Sequence, residues 1–294
     1  MDLIKLTYDC LEAVRPYFDK FESEASDINL TNLYMWRDKY HFHYIILGDH
    51  LFIANIKGEN IYFSQPIGDY GSSESVYKSF EELQAFCQEK GLKCVVKKAN
   101  RSFHDILDGR YSFTVSCSED EQDYVYDFEE LRQLAGKKFH KKKNHWNKFV
   151  KTYPDWIFRW YEDDDMEKVK SLIETWMEDK DNEDDDILLE REGIIDILAH
   201  RECFDLKIGI LEVGGEICGF TIAEIIGGDM LLVHIEKADT NFEGVFTAIG
   251  HALYNACSNL LWINREQDLG IEGLRKSKMS YHPVRFVEKY EMRF

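Results

Sequence analysis

The sequence predicts an α/β (α+β) protein made of two consecutive units, each a mixed, mostly antiparallel sheet with flanking helices. The first observation is that 294 residues with 44% hydrophobic residues and only 4 prolines supply enough apolar side chains for two packed cores. The second is that both halves contain the same order of elements. In each half, three short apolar strands joined by glycine turns precede a loop, an amphipathic helix and another strand.

The first half begins this order with predicted strands at residues 44–47, 51–56 and 61–64. Gly48 and Gly58 stand between these strands and favour tight antiparallel turns. A glycine-rich loop at 66–73 leads into a predicted helix at 75–90, where apolar residues recur at helical spacing until Gly91. Further strands are predicted at 93–98 and 111–117.

The second half repeats the order with predicted strands at 206–213, 216–225 and 229–236. Glycine pairs separate these strands, and the loop 237–244 leads into a predicted helix from Val245 to about Cys257. A short strand at 260–264 follows. We expect the last segment, 286–294, to close this second sheet.

Between the halves, Asp127 is a predicted N-cap, and the helix that it begins ends at Gly136. A second helix is predicted at 137–151, before Pro154. We therefore expect a first domain at 1–133, a lysine-rich connecting helix at 134–152 and a second domain at 153–294. Three antiparallel strands, a crossover helix and a parallel strand form the centre of the GNAT acyltransferase fold. In that fold the fourth and fifth strands diverge around the acyl donor.

The formal net charge of −19 disfavours nucleic acid or anionic lipid as a partner of the surface as a whole, so either would need a local basic patch. The 7 cysteines are scattered and include no CxxC pair, which is typical of reduced thiols rather than of disulfides or a zinc site. The N-terminus lacks a signal-peptide core, and no window has the apolar length of a membrane span. We expect a cytoplasmic protein with no integral membrane contact and no metal site.

Three strings resemble a known family. Residues 134–149 (LAGKKFHKKKNHWNKF), the pair 234–239 (HIEKAD) and 263–270 (INREQDLG), and the continuation 273–281 (GLRKSKMSY) are similar to an uncharacterised bacterial family. That family resembles the catalytic C-terminal domain of phosphatidylglycerol lysyltransferases. The wider group includes the Fem-type aminoacyltransferases, which carry two GNAT-like domains and use aminoacyl-tRNA. The resemblance implies two tandem GNAT-like domains and acyl or aminoacyl transfer. The lysyltransferases also carry a large membrane-embedded domain, which this sequence lacks, so phosphatidylglycerol is not the expected acceptor.

The candidate catalytic residues are Glu236, Asn264, Arg265 and Glu266, which end two neighbouring predicted strands, where ligands of open α/β sheets commonly bind. Glu236 or Glu266 is suited to act as a base. Asn264 and Arg265 are suited to stabilise an oxyanion. Lys276 and Lys278 follow as candidate clamps for a phosphate or carboxylate of the substrate. The structural alternative is an ion pair between Glu236 and Arg265 that only fixes the strand ends.

Acyl-CoA and aminoacyl-tRNA are the possible donors, and no cofactor is certain. The loop 239–244 has one glycine and two carboxylates, so it is poorly suited to the CoA pyrophosphate. Gly68, Gly71 and Ser72 in the first half form a better candidate cofactor loop before a helix, although such loops are also ordinary turns.

Residues 137–151 contain 7 lysines, contrary to the acidity of the rest of the chain. On a helix their apolar neighbours gather on one side, so the basic side suits the acceptor stem of a tRNA. Lys143 and Asn144 are the preferred substrate contacts. The alternative is a connecting helix whose lysines pair with acidic surface.

The leading hypothesis is an acyltransferase that moves an aminoacyl or related acyl group to a small-molecule amine or hydroxyl acceptor. The rivals are a CoA-dependent N-acyltransferase and a non-catalytic GNAT-fold module that binds a ligand. The acidic run 178–186 is expected to be a solvated loop, with a lid or a cation-selecting surface as its functional alternatives.

Overall fold

A computed structural model of the chain describes residues 2–178 and 185–294. Most of the acidic run 178–186 therefore lies outside the described residues. The strands are β1 (Ile4–Lys5), β2 (Phe42–Leu47), β3 (His50–Lys57), β4 (Asn60–Phe63), β5 (Val95–Ala99), β6 (Thr114–Cys117), β7 (Asp123–Asp127), β8 (Ile157–Trp160), β9 (Leu206–Val213), β10 (Glu216–Ile226), β11 (Met230–Ala238), β12 (Trp262–Asn264), β13 (Arg285–Val287) and β14 (Tyr290–Arg293). The helices are α1 (Leu11–Phe18), α2 (Leu30–Met35), α3 (Ser73–Lys90), α4 (Arg101–Leu107), α5 (Phe128–Gln133), α6 (His140–Thr152), α7 (Met166–Glu178), α8 (Asp185–Ala199), α9 (Val245–Ala256) and α10 (Glu272–Met279).

The chain forms two compact units, each with one mixed sheet. The first unit comprises residues 1–122, 192–197 and 287–294, and its sheet has the order β1-β2-β3-β4-β5-β14-β6. The second comprises 123–191 and 198–286, with the order β13-β7-β12-β11-β10-β9-β8. The predicted α/β class with two mixed, mostly antiparallel sheets is confirmed.

Within each seven-stranded sheet, three consecutive antiparallel strands are followed along the chain by a strand that is parallel to the third. In the first unit β2, β3 and β4 pair antiparallel, α3 crosses over, and β5 returns parallel to β4. In the second unit β9, β10 and β11 are followed by α9 and by β12, which is parallel to β11. This is the order that the sequence predicts for a GNAT-like centre in both halves.

The crossover helices form the cores by packing apolar faces on the sheets. In the first unit Phe80 and Leu83 of α3 are fully buried against Phe52 and Phe63. Ser72 caps the start of this helix, and Gly91 ends it at φ +66°, a conformation that glycine adopts without steric cost. In the second unit Leu253 of α9 packs in the core with Leu231 and Ile263.

The last strand corrects the prediction for residues 286–294. The start of this segment does end the second sheet, as the edge strand β13, but the rest does not, because β14 pairs antiparallel with both β5 and β6 of the first sheet. Met292 is fully buried in the first core, so apolar burial fixes the end of the chain there.

The middle of the chain also divides differently from the predicted boundary at residue 133. β7, which the sequence pattern does not reveal as a strand, pairs antiparallel with β12, and this places residues 123–133 in the second unit. Asp127 does begin a helix, accepting a hydrogen bond from the Glu130 N–H at 2.8 Å. The predicted lysine-rich helix is α6, which belongs to the second unit, where Phe149 is fully buried.

Across the described residues, no helix combines the length and apolar character that a membrane crossing requires.

Candidate functional site

Two parallel strands of the second unit diverge after a short paired segment. The β11–β12 ladder joins Met230 to Trp262 and ends where Leu232 meets Asn264. β11 continues to Ala238, whereas the chain after β12 stays paired with β7 and no longer with β11. There the Arg265 N–H donates to the Tyr124 carbonyl (3.0 Å), and the Tyr124 N–H donates to the Glu266 carbonyl (3.2 Å). The strand ends therefore separate just where the sequence predicts catalytic side chains.

Glu236 and Arg265 face each other across this divergence. Arg265 Nη2 donates to Glu236 Oε2, and the two side chains are only 15% and 11% exposed, in that order. Two buried atoms of the pair, Glu236 Oε1 and Arg265 Nε, have no hydrogen-bond partner among the described residues. Because such atoms are normally satisfied, the pair retains one acceptor and one donor for a further group.

Three tyrosines surround this pair. The Arg265 guanidinium carbon lies 4.8 Å from the ring centroid of Tyr281. Burial raises the pKa of Tyr126 and of Tyr254 well above 10, so both phenols stay protonated. The Tyr126 hydroxyl donates to the Lys278 carbonyl at 2.9 Å, but the Tyr254 hydroxyl has no hydrogen-bond partner among the described residues.

Gly250 of α9 has no side chain, which leaves space for the Glu236 carboxylate and the Tyr254 hydroxyl. A Cβ at this position would lie 2.9 Å from Glu236 Oε1 and 3.3 Å from the Tyr254 hydroxyl. Glycine inside a helix costs roughly 1 kcal/mol relative to alanine. Here the close approach of the carboxylate gives the physical reason for it.

Lys142 of α6 also reaches this site, although the sequence analysis did not single it out. Its Nζ lies 3.7 Å from the centroid of the Tyr281 ring. Burial and the nearby Arg265 lower the pKa of Lys142 to about 8, while Glu236 acts in the opposite direction. A signal was available in the sequence, because Lys142 lies three residues after Phe139 and four before Trp146, on the apolar side of the helix.

The predicted catalytic residues Asn264 and Glu266 have structural partners. The buried Asn264 side chain accepts from the Glu266 N–H (2.7 Å) and donates to Asp123 (3.1 Å). Glu266 Oε1 lies 3.0 Å from His234 Nδ1. These contacts hold the turn that follows β12 and carries Arg265.

The four predicted substrate-binding residues separate into one buried and three exposed side chains. Lys278 is buried, and its ammonium group donates to the carbonyls of Arg265 and Gln267, both at 2.5 Å. It therefore fixes the backbone that carries Arg265. Lys143, Asn144 and Lys276 are exposed to solvent.

The candidate cofactor residues Gly68, Gly71 and Ser72 belong to the first unit, whereas Glu236 and Arg265 belong to the second. Their contacts are local. The Gly71 N–H donates to the Asp69 carboxylate (2.7 Å), and the Ser72 hydroxyl caps α3 by accepting from the Ser75 N–H (3.3 Å). At Gly68 a Cβ would lie 2.9 Å from the His50 ring, so packing accounts for this glycine. These are the contacts of an ordinary loop.

Four backbone donors of the loop 239–244 and the first residue of α9 are already bonded within the protein. The N–H groups of Asn241 and Phe242 donate to Asp239, that of Glu243 donates to the Tyr153 hydroxyl at 3.1 Å, and that of Val245 donates to the Phe242 carbonyl. A pyrophosphate cradle needs such groups to point at the ligand. The loop is therefore unsuited to CoA, as its carboxylates predict.

A buried histidine beside the site gives a testable pH dependence of stability. His234 lies between Glu266 and Glu224, whose Oε1 is 2.7 Å from Nε2. Burial by itself would lower the pKa of His234, but the two carboxylates raise it to about 9. This stabilisation is complete below the unfolded pKa of 6.5 and is lost as the pH rises through about 9.

We expect the stabilisation by His234 to fall by about 3 kcal/mol between pH 6.5 and 9, since each unit of pKa corresponds to roughly 1.4 kcal/mol. Urea unfolding of the wild type and of His234→Gln across this range measures it as the difference between the two proteins. The difference should shrink as the pH rises. A difference that stays constant would contradict a charged imidazole at this position.

The chain matches one protein family over most of its length. The family described as phosphatidylglycerol lysyltransferase, C-terminal, matches residues 18–293. The chain belongs to this family. The membership confirms the resemblance carried by the lysine-rich string and by the two strings that end β11 and β12, and it groups the chain with a family named for an aminoacyltransferase.

Solved structures of the same fold extend the likeness over the whole chain. A conserved protein of unknown function from Bacteroides thetaiotaomicron is 28% identical, with a TM-score of 0.89, and the match covers 100% of this chain and 99% of that one. L-PGS from Bacillus licheniformis has a TM-score of 0.71 at 14% identity, covering 99% and 92%. FemX has a TM-score of 0.65 at 8% identity, covering 99% and 97%. At such low identities, the last two show that this family and the Fem-type proteins share the fold.

A curated relative, uncharacterized protein MYCGA3080 of Mycoplasmoides gallisepticum, is 25% identical over 177 residues. The match covers 58% of this chain and 56% of the relative, so the chain matches little more than half of that protein's length.

Proposed function

We propose that the protein is an acyltransferase that moves an aminoacyl group from a charged tRNA to an amine or hydroxyl acceptor, with its active site at Glu236 and Arg265. The observation that carries the proposal is the buried pair whose Oε1 and Nε atoms have no hydrogen-bond partner among the described residues. Membership in a family named for lysyl transfer supports aminoacyl chemistry over other acyl transfer.

The two remaining atoms suit the two needs of acyl transfer. Glu236 Oε1 is available to take the proton that the attacking amine or hydroxyl loses as its new bond to the acyl carbon forms. The Arg265 Nε–H is available to bind the oxygen of the acyl carbonyl. As the ester bond breaks, the leaving ribose oxygen takes up the proton that Glu236 removed from the acceptor, so the carboxylate is restored. Low exposure strengthens both interactions, because the effective dielectric constant is lower than in water.

A tRNA donor is favoured over CoA by the surface near the site. Lys141, Lys143, Lys148 and Lys151 of α6 are exposed on the helix that also carries Lys142. Although Lys148 pairs with Glu243, the others add local positive charge to an otherwise acidic chain. Phosphate groups of a nucleic acid bind such surfaces by releasing counterions. The loops at 68–72 and 239–244 offer no comparable site for a pyrophosphate.

The direct test is transfer from labelled donors. Purified protein is incubated with tRNA charged with each labelled amino acid in turn, and with labelled acetyl-CoA, in the presence of small amines and polar lipids as acceptors. We expect loss of label from one or a few charged tRNAs and its appearance in an acceptor. Transfer from acetyl-CoA alone would replace this proposal with the CoA-dependent one. Binding of a charged tRNA without any turnover would indicate a non-catalytic module.

The lysines of α6 give a separate prediction about binding. Exchanging Lys141 and Lys143 for glutamate should weaken tRNA binding at least tenfold in low salt and flatten its salt dependence, because each lost phosphate contact lowers the slope of log K against log salt by about one. The matched control is Lys78→Glu with Lys93→Glu, which changes two exposed lysines of the first unit by the same charge. Equal weakening in both double variants, measured by filter binding, would mean that only net charge matters.

A further inference from the structure

We propose that Lys142 is a further catalytic residue, whose ammonium group binds the acyl carbonyl oxygen while negative charge develops on it. The inference rests on the proposed function, because it assigns a role within the same site. Family membership assigns no role to this lysine. The substrate contacts predicted from the sequence are its neighbours Lys143 and Asn144.

The first argument is where the side chain lies. α6 exposes Lys141, Lys143 and Lys148 to solvent, whereas Lys142 is partly buried, and its Nζ sits 3.7 Å from the centroid of Tyr281. The Arg265 guanidinium carbon lies 4.8 Å from the same centroid. One aromatic ring thus brings two cationic side chains together beside the carboxylate of Glu236.

The second argument is the balance of charge. Arg265 and Glu236 are the charged groups that act on Lys142. The side chains of Tyr126, Tyr254 and Tyr281 complete the surroundings of the Arg265–Glu236 pair. Two cations share one carboxylate, and one oxygen of that carboxylate is already bound by Arg265. The surplus positive charge favours a ligand atom that becomes negative, which a tetrahedral intermediate supplies.

The third argument is the cost of keeping the lysine there. Burial and Arg265 lower the pKa of Lys142 to about 8, so the folded protein holds this charge at a disadvantage. An anionic oxygen would relieve that disadvantage. Such an arrangement is typical of functional sites, where groups are held for their chemistry rather than for stability.

The reaction step balances without change in Lys142. The lone pair of the acceptor adds to the acyl carbon, the carbonyl π pair moves to its oxygen, and Glu236 takes the proton of the acceptor. When the pair returns, the bond to the ribose oxygen breaks, and that oxygen receives the proton held by Glu236, which is thereby restored as a carboxylate. Lys142 stays protonated throughout and contributes only its charge and a hydrogen bond.

The test compares Lys142→Met, Lys142→Arg and the matched control Lys78→Met, at an exposed lysine outside the proposed site and tRNA surface, in the charged-tRNA assay. We expect Lys142→Met to lower kcat about a hundredfold with KM changed less than about threefold, because the interaction forms only in the transition state. Lys142→Arg should restore much of the rate, and Lys78→Met should resemble the wild type. Equal kcat in Lys142→Met and the wild type would overturn the inference.

The pH profile separates this role from that of a base. If the protonated lysine is required, wild-type kcat is level below pH 8 and falls above it, and this fall is absent in Lys142→Arg. A rate that instead rises through pH 8 would show that the neutral amine accepts a proton, which would also overturn the inference.

Thermal unfolding separates function from structure. Since the ammonium group is held at a cost, Lys142→Met should melt no lower than the wild type below pH 8. A lowered melting temperature together with a lost rate would assign Lys142 a structural role and contradict the inference. Failure of the proposed function is distinguishable, because the wild type itself would then transfer no aminoacyl group, whatever residue stands at 142.

Discussion

Replacing Glu236 by glutamine is expected to lower kcat/KM for aminoacyl transfer about a thousandfold, which lies within the range for loss of a positioned general base. The amide keeps the shape of the side chain but cannot take a proton from the acceptor. It also leaves the buried Arg265 cation without its carboxylate, where the two side chains are only 11% and 15% exposed. Affinity for the charged tRNA should stay close to that of the wild type, because the lysines of α6 are unchanged.

The matched control for this variant is Glu216→Gln, which removes an exposed carboxylate from the same unit. It should leave kcat/KM within about twofold of the wild type, as expected for a surface change. Single-turnover rates and melting curves measured on both variants separate chemistry from stability. A Glu236→Gln protein that is folded and fully active would reduce the Glu236–Arg265 pair to a structural ion pair.

Replacing Asp268 by asparagine is expected to cost about 3 kcal/mol of stability at neutral pH. The Asp268 carboxylate is fully buried and accepts from the Tyr124 hydroxyl (2.5 Å), the Gly270 N–H (2.8 Å) and two nitrogens of Arg275 (2.7 and 2.9 Å). An amide removes the charge and places donors against donors, and breaking a buried pair typically costs about 3–5 kcal/mol. The expected loss of stability is at the lower end of that range because the Arg275 side chain is 40% exposed.

The same carboxylate predicts the acid limb of the stability curve. Burial by itself would raise the pKa of Asp268, but Arg275, Tyr124 and the Gly270 N–H lower it to about 2. Its stabilisation is therefore present above the unfolded pKa of 3.8 and is lost as the pH falls towards 2. Urea unfolding at pH 7 and at pH 3 should show the difference between the wild type and Asp268→Asn shrinking. Asp163→Asn, in the exposed pair with Arg201, is the control and should be nearly neutral. An unchanged unfolding midpoint in Asp268→Asn at pH 7 would contradict the assigned contacts.

Asp268→Asn acts on the turn after β12, which carries the Arg265 partner of Glu236. Asp268 and Lys278 fix its backbone, and that backbone aims Arg265 at Glu236. The site is therefore built from a short loop supported by buried charge, so changes in the support should lower activity as well as stability.

Periodicity and glycine turns in the sequence determined both mixed sheets and the crossover helices, because apolar spacing and turn residues act over a few positions. The strings at 134–149, 234–239, 263–270 and 273–281 indicated the family. The strand ends at Glu236 and Arg265 were also predictable, since polar residues follow apolar strands there. Local charge favours the exposed Lys143 and Asn144 over Lys142, because it does not show which side of a helix is covered. The spacing of Lys142 from Phe139 and Trp146 is the signal that does.

Tertiary structure alone decided three things. It assigned 290–293 to the first sheet and 123–127 to the second, because pairing partners distant in the chain compete for edges that no local pattern marks. It divided the charged residues near β12 between the Glu236–Arg265 pair and the residues that support its backbone, since hydrogen bonds join residues far apart in sequence. It also placed Lys142 on the Tyr281 ring. Local sequence determines which elements form and where their polar ends lie. The burial of the side chains at those ends depends on which other elements pack against them. That burial sets the environment of Glu236, Arg265 and Lys142.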